Sequence, residues 1–436
     1  MTPRLQRETN VQSLPERRVA WLVFATMTIL MVFNHADRQV VASMFPFLKA
    51  HWTLSDAELG ALVSVVPVIV AVGTIPLSLL ADRWGQVRSL FLMAVIWSFA
   101  TIACALATRY GELLVARAVV GVGEAAYGSV GCALLATLFA ERVRSTVLGA
   151  FLSAGLVGAV AGVMLGGIVT HHWGWQAGFA VAGAPGIVLA VLFYAAARRL
   201  PASAPARPAH VEGAWRAAAA VFIEIGKARS APLACVGAGL QLVSVSAMYA
   251  WLPSFLNREH GLSMGDAGVG AGLIVLAGVP GAVAFGLLAD RLTRRFASAR
   301  HHLAAAAGLL TAFFTFTAFG IAEGDRVRMS LLVLGAATMP AILGPVTAAM
   351  LEVVSPFARA TAAGVLAAMQ NLFGLALGPI MIGMLSDRFG LASAMSVVPL
   401  FSAAAGLFFI AAARAYPRDR ARVESGDPLA TLRLSD

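Results

Sequence analysis

The chain has 436 residues, of which 59% are hydrophobic and only 12% charged, against roughly 25% charged in ordinary globular proteins. That excludes a string of soluble domains, and runs such as "ALVSVVPVIVAVG" and "AGLIVLAGVPGAVAFGLLA" are too uniformly apolar for amphipathic surface helices. The formal net charge of +10 does not point to nucleic acid, because the basic residues cluster between apolar runs, as topology signals do.

The first 18 residues are polar and lack the apolar core and small-residue cleavage site of a signal peptide. A membrane span needs about 20 mostly apolar residues. Hydropathy predicts six spans over 19–45, 56–80, 88–107, 111–138, 145–169 and 176–198. Six more follow a break, over 231–255, 266–289, 302–322, 328–353, 360–385 and 391–413. The expected organisation is an all-α membrane protein with a tail (1–18), a six-helix bundle (19–199), a linker (200–230), a second six-helix bundle (231–415) and a tail (416–436).

An even span count puts both termini on one side. Segments on that side carry 24 Lys and Arg against six on the other, so both termini are expected in the cytoplasm, with the inner membrane as host. The linker opens "PASAPARPAH", a semi-rigid Pro/Ala stretch. Its second half spaces Trp215, Phe222 and Ile225 on one helical face, which predicts an amphipathic helix along the cytoplasmic surface.

The halves repeat. "LLADRWGQVR" (79–88) returns as "LLADRLTRR" (287–295), and "RSTVLGAF" (144–151) as "RATAAGVL" (359–366), with a third echo in "GMLSDRFG" (383–390). Internal symmetry of this kind marks transporters whose halves rock about a central site.

These residues resemble the signatures of the major facilitator superfamily. After span two, Ser78 takes the first glycine position of the family's loop motif while Asp82, Arg83 and Gly85 match. Gln86 and Val87 replace the usual basic pair, and Arg88 follows. The second copy keeps Gly286, Asp290 and Arg291 but has Thr293 for the second glycine. "RAVVGVGEAAYG" in span four is similar to the family's arginine–glycine–glutamate–alanine signature, on Arg117, Gly121, Gly123, Glu124 and Ala125. "NHADR", "LSDAELGALVSVV" and "GEAAYGS" together resemble the spinster-like branch of proton-driven exporters of lipids and small molecules. Anion:cation symporters of the superfamily share part of this pattern. The resemblance implies two pseudo-symmetric six-helix halves, with helices one and four lining a central cavity.

Four charges fall deep in the predicted spans: Asp37 and Arg38 in the first, Arg117 and Glu124 in the fourth. Each costs roughly 2.5–3.5 kcal/mol at a helix centre on insertion scales. Their charges sum to zero. Asn34 and Arg38 share one helical face, and Arg117 and Glu124, seven apart, share another. One reading is paired ions that fix the packing of two helices. The functional reading is that Asp37 or Glu124 takes up a proton when its arginine partner moves away, which couples protonation to conformation. Two carboxylates with two arginines allow partner exchange, whereas a packing pair needs one of each.

His35 reads as a hydrogen-bonding neighbour of Asp37. Cys104, Cys132 and Cys235 lie in apolar spans, and the adjacent His171 and His172 do not make a metal site. No metal or cofactor is expected. Asp82, Arg83, Arg88, Asp290 and Arg291 are candidate gate residues, since an aspartate near a helix end can cap a neighbouring helix or pair with an arginine. Tyr127 in the first half, and Gln241, Ser244, Tyr249, Gln370 and Asn371 in the second, are candidate substrate contacts or interhelical glue.

With no nucleophile elbow, phosphate loop or metal cluster, an enzyme is not expected. A receptor or scaffold on the same fold would not need four buried charges. The expected function is secondary active transport of an amphipathic small molecule or lysolipid, coupled to protons. An organic-anion or sugar-acid symporter is the alternative. A monomer in membrane lipid is the expected working unit.

Overall fold

Backbone amides in hydrocarbon have no water to bond, so each spanning segment must satisfy its own, and every described element of the chain is helical. The structure, a computed structural model, describes residues 14–199, 223, 226, 228–320, 324–354 and 359–424. The expected amphipathic linker helix around Trp215, Phe222 and Ile225 lies outside the described residues, as do the outer parts of both tails.

Eleven helical stretches are long and apolar enough to cross a bilayer, and one of them is two spans. Thr146–Ala197 runs 52 residues, roughly 78 Å at 1.5 Å per residue and more than twice the hydrocarbon core. It turns at Gly174, whose φ of 83° and ψ of 167° favour a residue without a β-carbon. The count among the described residues is therefore twelve, as hydropathy predicts. Spans one to four are Arg17–Trp52, Asp56–Ala81, Gln86–Ala105 and Tyr110–Leu138, and five and six share Thr146–Ala197. Spans seven to twelve are Ser230–His260, Met264–Thr293, Ala299–Gly320, Asp325–Glu352, Gly364–Phe389 and Leu391–Arg422.

Helices outrun the predicted spans, farthest at two ends. Span one continues through Pro46 to Trp52, and the last helix continues through Pro417 to Glu424. Hydropathy marks where the hydrocarbon ends, not where the helix does.

Five spans depart from α-geometry within their length: spans eight and twelve break briefly, after Leu276 and after Met395, and three others carry longer or different irregularities. Span four stops at Glu124 and restarts at Tyr127. Span ten tightens to a 3₁₀ turn at Met339–Ile342, around Pro340. Span eleven widens to a π-segment at Gln370–Leu375, where Ala376 N–H reaches Asn371 O at 2.9 Å. Such irregular backbone inside a membrane is tolerated only where protein or a water-lined space covers it, and single π-turns concentrate at functional sites.

Within the first half, spans one and five lie close, and Ser43 donates to Val163 O at 2.7 Å. The two halves meet through span two against eleven and span five against eight. A β-carbon on Gly60 of span two would sit 2.4 Å from the Pro379 carbonyl oxygen, and one on Gly268 of span eight 2.7 Å from the Gly167 α-carbon. Both contacts need glycine.

Candidate functional site

Spans one and four bring the four predicted charges together as two crossed ion pairs. Arg38 Nε lies 2.5 Å from Glu124 Oε2, and Arg117 Nη1 lies 2.8 Å from Asp37 Oδ2. The partners are on different helices, so each arginine holds the carboxylate that the other arginine's helix supplies. Arg117, Asp37 and Glu124 have side chains sealed from solvent, while Arg38 keeps 19% exposure. Arg117 also points Nη1 toward Asp37 O at 3.4 Å and Nε toward Leu62 O at 3.5 Å.

The break in span four gives this site its electrostatics. Glu124 is the last residue of the first helical segment, where the helix dipole is negative and a carboxylate is disfavoured. Arg38 supplies the positive charge that the position needs. The freed carbonyl of Ala125 is met by the Thr74 hydroxyl at 2.7 Å. No proline causes the break. The glycines of "GVGEAAYG" weaken the helix there, and Ala126 takes φ −117°, ψ 4°.

The pairs do not exhaust the bonding capacity of their members. Asn34 Nδ2, Asp37 Oδ1, Arg117 Nη2 and Glu124 Oε1 are buried with no hydrogen-bond partner among the described residues. Buried polar groups are nearly always paired, so four such atoms on and beside the two bridges are an exception. His35 sits beside the bridges, with Nδ1 3.2 Å from Met31 O.

The candidate substrate contacts divide. Tyr127 bonds Met27 O at 3.2 Å; Gln241 donates to Met339 O at 3.3 Å; Ser244 donates to Val398 O at 3.1 Å and accepts from Ser402 at 2.8 Å. These three join helices in this conformation, and Tyr249 is buried. Gln370 and Asn371 open the π-segment; Asn371 Nδ2 donates to Ala367 O at 2.8 Å, while Gln370 Nε2 and Asn371 Oδ1 lack partners among the described residues.

Of the candidate gate residues, Arg83, Arg88, Asp290 and Arg291 are exposed. Among the described residues no ion pair engages them; the Asp82 side chain lies outside what is described. The engaged latch is at the opposite end of the spans. Asp56, buried at the start of span two, bonds Lys49 Nζ at 2.6 Å, Arg258 Nη1 and Nη2 at 2.7 and 2.9 Å, and Ser386 Oγ at 2.5 Å. Asp387 accepts from Asp56 N at 2.7 Å and Ala57 N at 2.9 Å, capping span two from span eleven. Beneath this layer Phe45 stacks on Trp251 at 4.9 Å, and Trp251 Nε1 donates to Pro379 O at 2.9 Å.

Sequence reasoning missed this latch. In the sequence Lys49 and Arg258 are two of the six basic residues on the poorer side of the charge bias, and Asp387 lies within the echo "GMLSDRFG" of the loop motif. A second cluster was missed too. Glu352 pairs with Arg300 and accepts from Tyr416, and Asp419 caps Ser230 N at 2.6 Å, tying spans seven, nine, ten and twelve together.

Comparison with known proteins bears on the family and the fold. A sequence model described as Major Facilitator Superfamily matches residues 27–379. An MFS-type efflux pump of Mycolicibacterium smegmatis is 29% identical over 85% of this chain and 85% of its own. The sphingosine-1-phosphate transporter SPNS2 of Danio rerio is 24% identical over 89% of this chain and 83% of its own. In fold, the chain superposes on the crystal structure of a bacterial homolog to the human lysosomal transporter spinster, inward-facing and unoccupied. The TM-score is 0.81 at 24% identity, covering 94% of this chain and 99% of that one. The chain belongs to the Major Facilitator Superfamily and, as a transporter, resembles its spinster-like branch.

Proposed function

We propose that this transporter moves an amphipathic small molecule or lysolipid across the inner membrane by proton-coupled alternating access. The observation that carries the reading is the pair of crossed bridges, Arg38–Glu124 and Arg117–Asp37. Each carboxylate has one spare oxygen without a partner, and Arg38 alone is partly open. An anionic head group that draws Arg38 away leaves Glu124 at a helix end with no counter-charge, where uptake of a proton replaces the lost cation. Proton and cargo then compete for the same arginine, which links them.

The cargo class follows from asymmetry. The described part of the second half carries no Lys or Arg at mid-membrane depth, and its buried polar atoms there are amides and hydroxyls. A small dianion would call for basic residues from both halves. An amphiphile needs a charged end at Arg38 and Arg117 and apolar walls for its tail, and the SPNS2 relative, named for sphingosine-1-phosphate, supports that class. The latch at Asp56 is closed and, among the described residues, no ion pair joins the two halves at the basic-loop end, which fits a state open toward the cytoplasm if the basic loops lie there. Both termini are then cytoplasmic.

Proteoliposomes under a proton gradient should move a lysophospholipid faster than a sugar acid. Saturable sugar-acid uptake with no amphiphile movement would replace this reading with the anion-symporter one.

A further inference from the structure

The break after Glu124 in span four is gripped from span two. The second segment opens with Val130 N donating to Ala126 O at 3.0 Å, and among the described residues no bond joins Ser129 N to Ala125 O. Two hydroxyls one turn apart on span two face the gap. Thr74 Oγ1 lies 2.7 Å from Ala125 O. Ser78, which stands at a glycine position of the family's loop motif, lies with Oγ 3.1 Å from Ser129 Oγ, and Ser129 donates to Ala126 O at 3.1 Å. Gly73 permits this approach, since a β-carbon there would sit 3.0 Å from that of Ala125.

Thr74 has a second acceptor. Its hydroxyl also lies 2.6 Å from Val70 O in its own helix, and it has one hydrogen to give. It can turn fully to Val70 without losing a bond, whereas Ala125 O is then left unpaired inside the membrane, which is costly. The donor that a regular helix supplies to Ala125 O is Ser129 N, and that bond closes span four into one continuous helix.

Glu124 feels the difference. With the break it ends the segment Tyr110–Glu124, where the helix dipole disfavours a carboxylate and so favours the protonated acid. In a continuous helix it is an interior residue and that penalty vanishes. The charged groups facing Glu124 are Arg38 and Asp37 from span one and Arg117 from its own span. Span two brings Thr74 and span three Trp97, against which Gly123 packs, and neither carries charge.

We infer that Thr74 is a positioning residue: by holding Ala125 O it keeps span four broken and Glu124 at the helix end that favours its protonated form. The inference rests on the proton-coupled reading of this site.

The test uses the full chain in proteoliposomes and two readouts. Hydrogen–deuterium exchange at the Ser129 amide reports the break itself. Exchange should be fast in the wild type and in Thr74→Ser, and about tenfold slower in Thr74→Val, where Ser129 N takes Ala125 O. The second readout is the pH dependence of proton movement driven by a lysophospholipid gradient. Its midpoint should fall by about half a unit in Thr74→Val, the size of a helix-end interaction, and stay at the wild-type value in Thr74→Ser. Unchanged Ser129 exchange in Thr74→Val would overturn the proposal whatever the cargo. So would slowed exchange with an unmoved midpoint, or an equal shift in Thr74→Ser, which would place the effect in packing and not in the hydroxyl. A wild type that moves no protons with the lipid would instead refute the proton-coupled reading, and with it this role for Thr74, even if exchange is slowed.

Discussion

Asp387, at the end of span eleven, accepts the backbone N–H of Asp56 at 2.7 Å and so caps span two from the opposite half of the molecule. Its second oxygen takes the next amide, Ala57 N, at 2.9 Å. The first amides of a helix have no intrahelical acceptor, and here the acceptor belongs to the other half of the molecule. Under the proposed alternating access the cap is lost when the halves part at this end. Removing it with Asp387→Ala should cost about 1 kcal/mol, shifting the open-to-closed ratio about fivefold. The reactivity of a cysteine placed at Phe45, beneath the latch, reads that shift. Unchanged reactivity would mean the cap does not contribute to closure.

Closure at this end also requires close backbone approach. A side chain on Gly60 would run into the Pro379 carbonyl, whereas Gly286 has open space around it. Gly60→Val should hold the Asp56 end open and lower transport severely, with Gly286→Val near wild type. Both are read by flux in proteoliposomes and by cysteine labelling. Equal flux in the two variants would contradict the packing account.

The twelve spans, the two-half repeat and the four deep charges were all legible in the sequence, because each rests on a property that sequence carries directly: hydropathy, similarity and charge. The cross-pairing of Arg38 with Glu124 and Arg117 with Asp37 was not. It depends on how spans one and four rotate against each other, and two arginines with two carboxylates leave both pairings open. The Asp56–Arg258 latch was illegible for a different reason. Its members are separated by 202 positions and lie at span ends, where single charges are ordinary. The break after Glu124 had a signal in the glycines around it, but glycine-rich helices are common in membranes, so the signal did not stand out.

The orientation rests on the basic-residue bias. Ser263 caps span eight through Asp266 N at 3.1 Å, so its exposed neighbour Leu262 is the safer site for a probe. Leu262→Cys should react with an impermeant thiol reagent in intact cells, and Ser203→Cys in the linker should not. The reverse labelling would invert the proposed topology.

Sealing of the Arg117–Asp37 pair sets it apart from Arg38–Glu124. Arg117→Ala leaves a buried aspartate without a partner, a loss of roughly 3–5 kcal/mol, so that variant should be poorly folded. Arg38→Ala, at the partly open pair, should fold and insert but lose transport. Thermal unfolding in detergent separates the two. Equal stability of both variants would remove the distinction between a structural and a working bridge.

The central claim is that the crossed bridges couple protons to cargo. The direct measurement is proton movement driven by a lysophospholipid gradient in proteoliposomes, with no proton gradient imposed. Wild-type protein should move protons in response to the lipid. Glu124→Gln should abolish lipid-driven proton movement while binding of the lipid persists. Wild-type proton movement in that variant would show that the Arg38–Glu124 bridge only holds spans one and four together.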